Sequence, residues 1–140
     1  MDWIEQLVLP FRTLTIDKSI ISKATKNFVD KFNENLNKYN ISGVEAIIVS
    51  DEYIDIKGYK KIKIEYNDEN VTFSLIDKDR YEQDVFIKLR IAKEVGAYLI
   101  DYVNTSKIKP RLESFIDENT IDGILEKLFE LNQEVVQIRR

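Results

Sequence analysis

Between residues 44 and 76 the apolar pattern of this chain repeats every second residue, and each interruption is a short polar turn. Residues 44–49 are nearly all apolar and read as a strand covered on both faces. Residues 53–56 follow the turn Ser50-Asp51-Glu52, and Gly58 marks the next reversal. From 60 to 66, Ile62, Ile64 and Tyr66 alternate with Lys61, Lys63 and Glu65. Beyond Asn67-Asp68-Glu69-Asn70, Val71, Phe73 and Leu75 alternate with Thr72, Ser74 and Ile76. Turns this short join antiparallel neighbours, because a parallel pair needs a crossover of about a dozen residues or more. The segment reads as a four-stranded antiparallel meander.

On both sides of it the period becomes helical. Residues 17–39 place Ile21, Phe28, Phe32, Leu36 and Tyr39 on one stripe, behind Asp17 or Thr15 as N-cap. Residues 82–103 carry Phe86, Leu89, Ile91, Ala92, Val95, Tyr98, Leu99, Tyr102 and Val103. As a helix, that set covers more than half the circumference, which implies contact with the sheet and with another helix, and Gly96 marks a close backbone approach. Residues 2–9 form a short amphipathic helix stopped by Pro10, with Trp3, Ile4, Leu7 and Val8 on one face. A short helix at 111–115 precedes a last helix capped by Thr120, in which Ile124, Leu128, Leu131, Val135 and Ile138 form a heptad seam. The expected architecture is a single α+β domain over residues 1–140: a four-stranded antiparallel meander packed by two long helices, 17–39 and 82–103, with short terminal helices.

What this domain does is constrained by what it lacks. It contains no His and no Cys, so the usual neutral-pH base, the thiolate nucleophile and most transition-metal ligands are missing. Zinc sites, Cys-His and Ser-His-Asp machinery, haem ligation and disulfides are excluded, and no cofactor or metal is expected. With four glycines far apart and no Walker loop, a backbone cradle for phosphate is also missing. The net charge is −4, and the excess of acids falls after Tyr66. That balance disfavours non-specific nucleic-acid binding. No signal-peptide pattern and no apolar run of membrane-spanning length is present, so the chain is read as cytoplasmic with no membrane partner.

Four constellations remain. The acids Asp77, Asp79, Glu82 and Asp84 fail as a calcium loop, because Glu82 stands where the loop needs glycine. They suit the first turn of a helix or an acidic contact surface instead. Glu45 followed by Asp55-Ile56-Lys57 resembles the skeleton of the PD-(D/E)XK nuclease superfamily. That resemblance implies Mg²⁺ held by Glu45 and Asp55, with Lys57 positioning the attacking water. The first acid departs from the family's Asp, and four antiparallel strands depart from its mixed sheet. Tyr59, Lys61 and Lys63 form a basic and aromatic cluster of the kind that holds single-stranded nucleic acid. Strict alternation puts Lys60 and Tyr66 on the face opposite Lys61 and Lys63, however.

The last constellation is apolar. Trp3, Ile4 and Leu7 at the N-terminus, and Ile124, Leu128, Leu131, Val135 and Ile138 in the final helix, offer faces for partner helices or a symmetry mate. The leading expectation is a non-enzymatic, regulatory interaction module, binding another protein as a homodimer. Its size, acidity and Ile/Lys/Asn-rich composition suit an accessory factor of a phage, virus or mobile element. A Mg²⁺-dependent nuclease on Glu45, Asp55 and Lys57, or a nucleic-acid binder, are the rivals.

Overall fold

Residues 2–77, 82–103 and 108–138 are described by the structure, a computed structural model. A short helix α1 (Trp3–Val8) runs into a 3₁₀ turn (Leu9–Phe11), and the long helix α2 spans Lys18–Lys38. Seven strands follow: β1 (Glu45–Ser50), β2 (Tyr53–Lys57), β3 (Lys61–Tyr66), β4 (Asn70–Ile76), β5 (Glu82–Ala92), β6 (Ala97–Val103) and β7 (Arg111–Glu113). Helix α3 (Glu118–Ile138) closes the chain. The strands form one antiparallel sheet in sequence order, each hydrogen-bonded to the next.

The expected four-stranded meander packed by two long helices is thereby corrected: among the described residues the sheet has seven strands. Residues 82–103 are not a helix but the hairpin β5–β6, and residues 111–113 are a strand. Val85, Ile87 and Leu89 are buried on one face of β5, while Phe86, Lys88 and Arg90 are half-buried on the other. A segment apolar on so much of its surface satisfies a helical and an alternating template together. Gly96 decides between them. Its φ of +62° ends a turn in which the Val95 amide donates to the Ala92 carbonyl and the Gly96 amide to the Lys93 carbonyl. The second long helix is instead α3, whose 21 residues match α2 and are not a short terminal element.

Local chemistry sets the helix ends. The Asp17 carboxylate accepts from the Ser19 amide at 2.9 Å and the Ser19 hydroxyl at 2.7 Å. At the other end of α2, Asn40 takes φ +55° and the Ile41 amide donates to the Leu36 carbonyl at 2.8 Å, a Schellman closure with Asn in place of Gly. Asp117 rather than Thr120 caps α3. Its carboxylate accepts from the Thr120 amide at 2.9 Å, while the Thr120 hydroxyl accepts from the Asp117 amide at 3.2 Å, a reciprocal capping box. Those hydrogen bonds to the ionised form hold the Asp17 and Asp117 carboxyls below their usual value.

Both long helices cover the same face of the sheet. Ile21, Ala24 and Val29 of α2, and Ile121, Ile124, Leu125, Leu128 and Leu131 of α3, pack on Ile54, Ile62, Phe73, Ile87 and Ile100. Burying each Ile, Leu, Val or Phe among them stabilises the fold by about 1.5–3 kcal/mol. The Phe28 ring of α2 stacks on Phe129 of α3, with centroids 5.8 Å apart, and Phe129 in turn stacks on Tyr59 of the β2–β3 turn at 6.4 Å. Among the described residues the other face carries no helix, and it mixes charged residues with Ile76, Phe86 and Leu99. Asp55 stands opposite Lys61, Lys63 pairs with Glu65 at 3.8 Å, and Arg90 with Asp101 at 2.9 Å.

The two edges are managed differently. β7 has three residues, too few to template another chain. β1 has six and is an edge strand rather than one covered on both faces as its apolar run suggests: Ile47, Ile48 and Val49 are exposed, and near it Tyr39 and Ile41 are exposed as well. Here α2 intervenes. Asn33 Nδ2 donates to the Ala46 carbonyl and Asn33 Oδ1 accepts from the Ala46 amide, both at 2.9 Å, so one side chain takes the place of a neighbouring strand.

Two outcomes follow from this packing. Asn33→Leu leaves the Ala46 amide and carbonyl unpaired and is expected to cost about 1–3 kcal/mol in urea unfolding. It also opens the β1 edge, so sedimentation should show concentration-dependent association stronger than that of the wild type. The Tyr66 hydroxyl is buried with no hydrogen-bond partner. Burial first, then the charges of Asp51 and Glu52, push its pKa up from 10.0 to about 12. Because the folded value is the higher one, its contribution to stability is complete below pH 10.0 and is lost as pH rises toward 12. Tyr66→Phe should be neutral or stabilising by about 1 kcal/mol at neutral pH and should flatten that alkaline loss in thermal unfolding.

Candidate interaction surface

The segment joining α1 to α2 is fixed to the far end of the sheet by three contacts. Gly96 is the first. A Cβ at that position would lie 2.0 Å from the Leu9 carbonyl oxygen, so the 3₁₀ turn rests directly on the β5–β6 turn and only glycine permits it. Arg12 is the second. Its Nε donates to the Gly96 carbonyl at 2.8 Å, a terminal nitrogen donates to the Ser114 carbonyl, and the guanidinium lies 5.1 Å from the Phe115 ring centroid. The third is Tyr98, whose hydroxyl donates to the Thr15 carbonyl at 2.7 Å. Leu9 is buried by this docking.

Helix α1 then stands outside the domain. The Asp2 carboxylate caps it, accepting from the Glu5 amide at 2.8 Å, and none of its residues is buried. Trp3 is 72% exposed and Phe11 85%, with Ile4, Leu7 and Val8 also open to solvent. Across the β5–β6 turn and β7 they are joined by Val95, by Leu112 at 56% and by Phe115 at 71%. Between these elements runs a groove of about 510 Å³, floored by Leu9, Pro10, Val95, Ala97 and Leu112 and edged by Gln6, Glu94, Glu113 and Ser114. Arg111 forms an ion pair with Glu113 at its margin. Such an arrangement suits an apolar segment: it has an apolar floor, exposed aromatics near by, and Glu94 and Glu113 as its charged lining residues.

The residues singled out from sequence divide as follows. Trp3, Ile4 and Leu7 belong to this surface. Glu45 stands directly opposite Lys57, and Asp55 shares their face two residues along β2, so the three do meet on the uncovered side of the sheet. Asp55 is itself opposite Lys61, so these charges form the cross-strand pairs of a solvated sheet. Among the described residues no three acidic side chains gather as a metal site. The Tyr59 ring stacks in the helix layer on Phe129 while Lys61 and Lys63 lie on the other face, and Tyr59 meets Lys61 where both line the groove at the Gly58 turn. A shallow groove of about 340 Å³ at the Gly58 turn is lined by Asp55, Lys57, Lys60, Lys61 and Asp77.

Asp77 follows β4 and is half-buried, and Glu82 and Asp84 lie along β5 rather than in the first turn of a helix. Asp79 lies outside the described residues. Ile124, Leu128 and Leu131 are buried against the sheet and α2, so this part of the heptad seam faces its own domain. Val135 and Ile138 fall in α3, but their side chains lie outside the described set.

Sequence reasoning missed Phe11, Val95, Leu112 and Phe115, which come from a turn, a hairpin and an edge strand that only the fold brings together. No protein-family model matches the chain, and comparison with curated proteins and with solved structures finds no match either.

Gly96→Ala tests how this surface is held. The new Cβ meets the Leu9 carbonyl and the residue keeps a positive φ, at an expected cost of about 1–3 kcal/mol. Trypsin should then cut after Arg12 faster than in the wild type, measured by limited proteolysis under native conditions.

Proposed function

We propose that this protein is a non-enzymatic interaction module, an accessory or regulatory factor that docks another protein through its apolar N-terminal end. The observation that carries this reading is α1 itself, an amphipathic helix whose apolar residues are all exposed although the domain already has a complete core. Monomeric proteins rarely expose apolar patches above a few hundred Å² unless a partner covers them. The absence of His and Cys from the whole chain supports a binding role over a catalytic one. On this reading the cytoplasm is the setting, and the contact is made by aromatic and aliphatic side chains, with Glu94 and the Arg111–Glu113 pair at the margin aligning the partner.

The test is affinity capture from nuclease-treated lysate with tagged wild type and the double variant Trp3→Asp/Leu7→Asp. Both residues are exposed, so the variant should keep the wild-type circular dichroism and melting temperature. The wild type is expected to retain a stoichiometric protein chain, an untagged copy of itself included, that the variant loses. Losing a central Trp should weaken such a contact by about 30-fold or more. A captured partner equally retained by the variant, or none captured at all, contradicts the reading.

A further inference from the structure

We infer that the partner covering the N-terminal end is a second copy of this chain, in a two-fold contact that lays α1 of each protomer across the groove of the other. This rests on the reading of that end as an interaction surface and names its occupant. Three features of the surface select a copy of itself.

The first is area. The eight exposed apolar side chains of the patch offer on the order of 1,000 Å², taking aromatic side chains at about 150–250 Å² each. That exceeds the largest patch of a typical monomer, about 300–600 Å². It reaches the roughly 800 Å² that each partner contributes to a standard stable interface.

The second is self-complementarity. A two-fold contact requires one patch to carry both halves of the fit. Here α1 carries the exposed Trp3 and Leu7 and borders, through Gln6, the groove of Leu9, Val95 and Leu112, so one two-fold rotation can lay each helix across the other protomer's groove.

The third is charge. The chain as a whole carries −4, yet the groove's charged lining is only Glu94 and Glu113, and Glu113 is already paired with Arg111. Two such linings repel each other little, whereas a strongly charged partner gains little attraction from them.

The outward backbone of the β1 edge is less free to pair with a copy. An antiparallel pairing centred on Ile48 would set Glu45 of one chain opposite Asp51 of the other, like charges facing each other. Asn33 already occupies the outward amide and carbonyl of Ala46 there.

The experiment is sedimentation equilibrium of the full chain up to about 100 μM, well above the micromolar Kd at which standard interfaces begin. The wild type is expected at twice its 16.5 kDa mass. Trp3→Glu and Leu112→Glu, each with an unchanged circular dichroism spectrum, should weaken the dimer by at least about 30-fold. Because the chain has no cysteine, Leu7→Cys and Leu112→Cys proteins mixed under oxidation should form the mixed 7–112 disulfide in preference to either homodisulfide.

A wild type that stays monomeric at about 100 μM overturns the second copy while leaving the interaction reading to the capture experiment. A dimer that neither glutamate variant weakens, or that forms no mixed disulfide, places the contact elsewhere and overturns the inference. Failure of one variant to fold leaves the other variant and the disulfide pattern to decide.

Discussion

A backbone carbonyl resting where a side chain would otherwise begin is the contact on which the functional end of this protein depends. The Leu9 oxygen occupies the space of a Cβ at Gly96, so the β5–β6 turn and the 3₁₀ turn after α1 are each shaped for the other. Arg12 and Tyr98 add hydrogen bonds to backbone carbonyls on either side, and none of the three contacts involves α1 itself. The anchor is therefore buried and specific, while the helix it delivers stays in solvent. A rigid base beneath an unpacked apolar helix lowers the ordering cost of association, because the docked segment does not have to be fixed again.

The rest of the fold concentrates free apolar surface at that end. Two 21-residue helices cover one face of the sheet and bury its aliphatic side chains, and the opposite face mixes charge pairs such as Arg90–Asp101 with half-buried apolar residues such as Phe86 and Leu99. Of the two edges, β7 is very short, and β1 has its outward backbone met by Asn33 at Ala46. The remaining exposed aliphatics of β1 are bounded by Glu45 on one side and Asp51-Glu52 on the other. What remains is the N-terminal end, with its apolar groove and exposed aromatics.

Much of this was legible in the sequence where one period dominated. Residues 17–39 and 44–76 carry a single clear pattern each, and α2 and β1–β4 lie where those patterns place them. Residues 82–103 were not legible for a physical reason. Val85, Ile87 and Leu89 point to the core, but Phe86 and Leu99 add apolar weight on the other face, and the hairpin's glycine reads equally as a helix-packing glycine. The acidic run before it then looked like helix-terminal charge, although Glu82 and Asp84 belong to β5. The interaction surface was half visible. Trp3, Ile4 and Leu7 show their amphipathic spacing directly, whereas Val95, Leu112 and Phe115 reach them through sheet topology, and no local pattern encodes that. Alternation did separate Lys61 and Lys63 from the opposite face, and it is the stacking of Tyr59 on Phe129 that draws its ring into the helix layer.

The most direct measurement of the central claim is acrylamide quenching of the single tryptophan across a dilution series of the purified protein. Trp3 is the only Trp in the chain and stands 72% exposed on α1. The account predicts solvent-like emission and full quenching at high dilution, with a blue shift and protection from quencher as concentration rises. Protection at every dilution would mean that α1 folds back onto its own domain, and full accessibility at every concentration would mean that no second copy covers it. Either result contradicts the account.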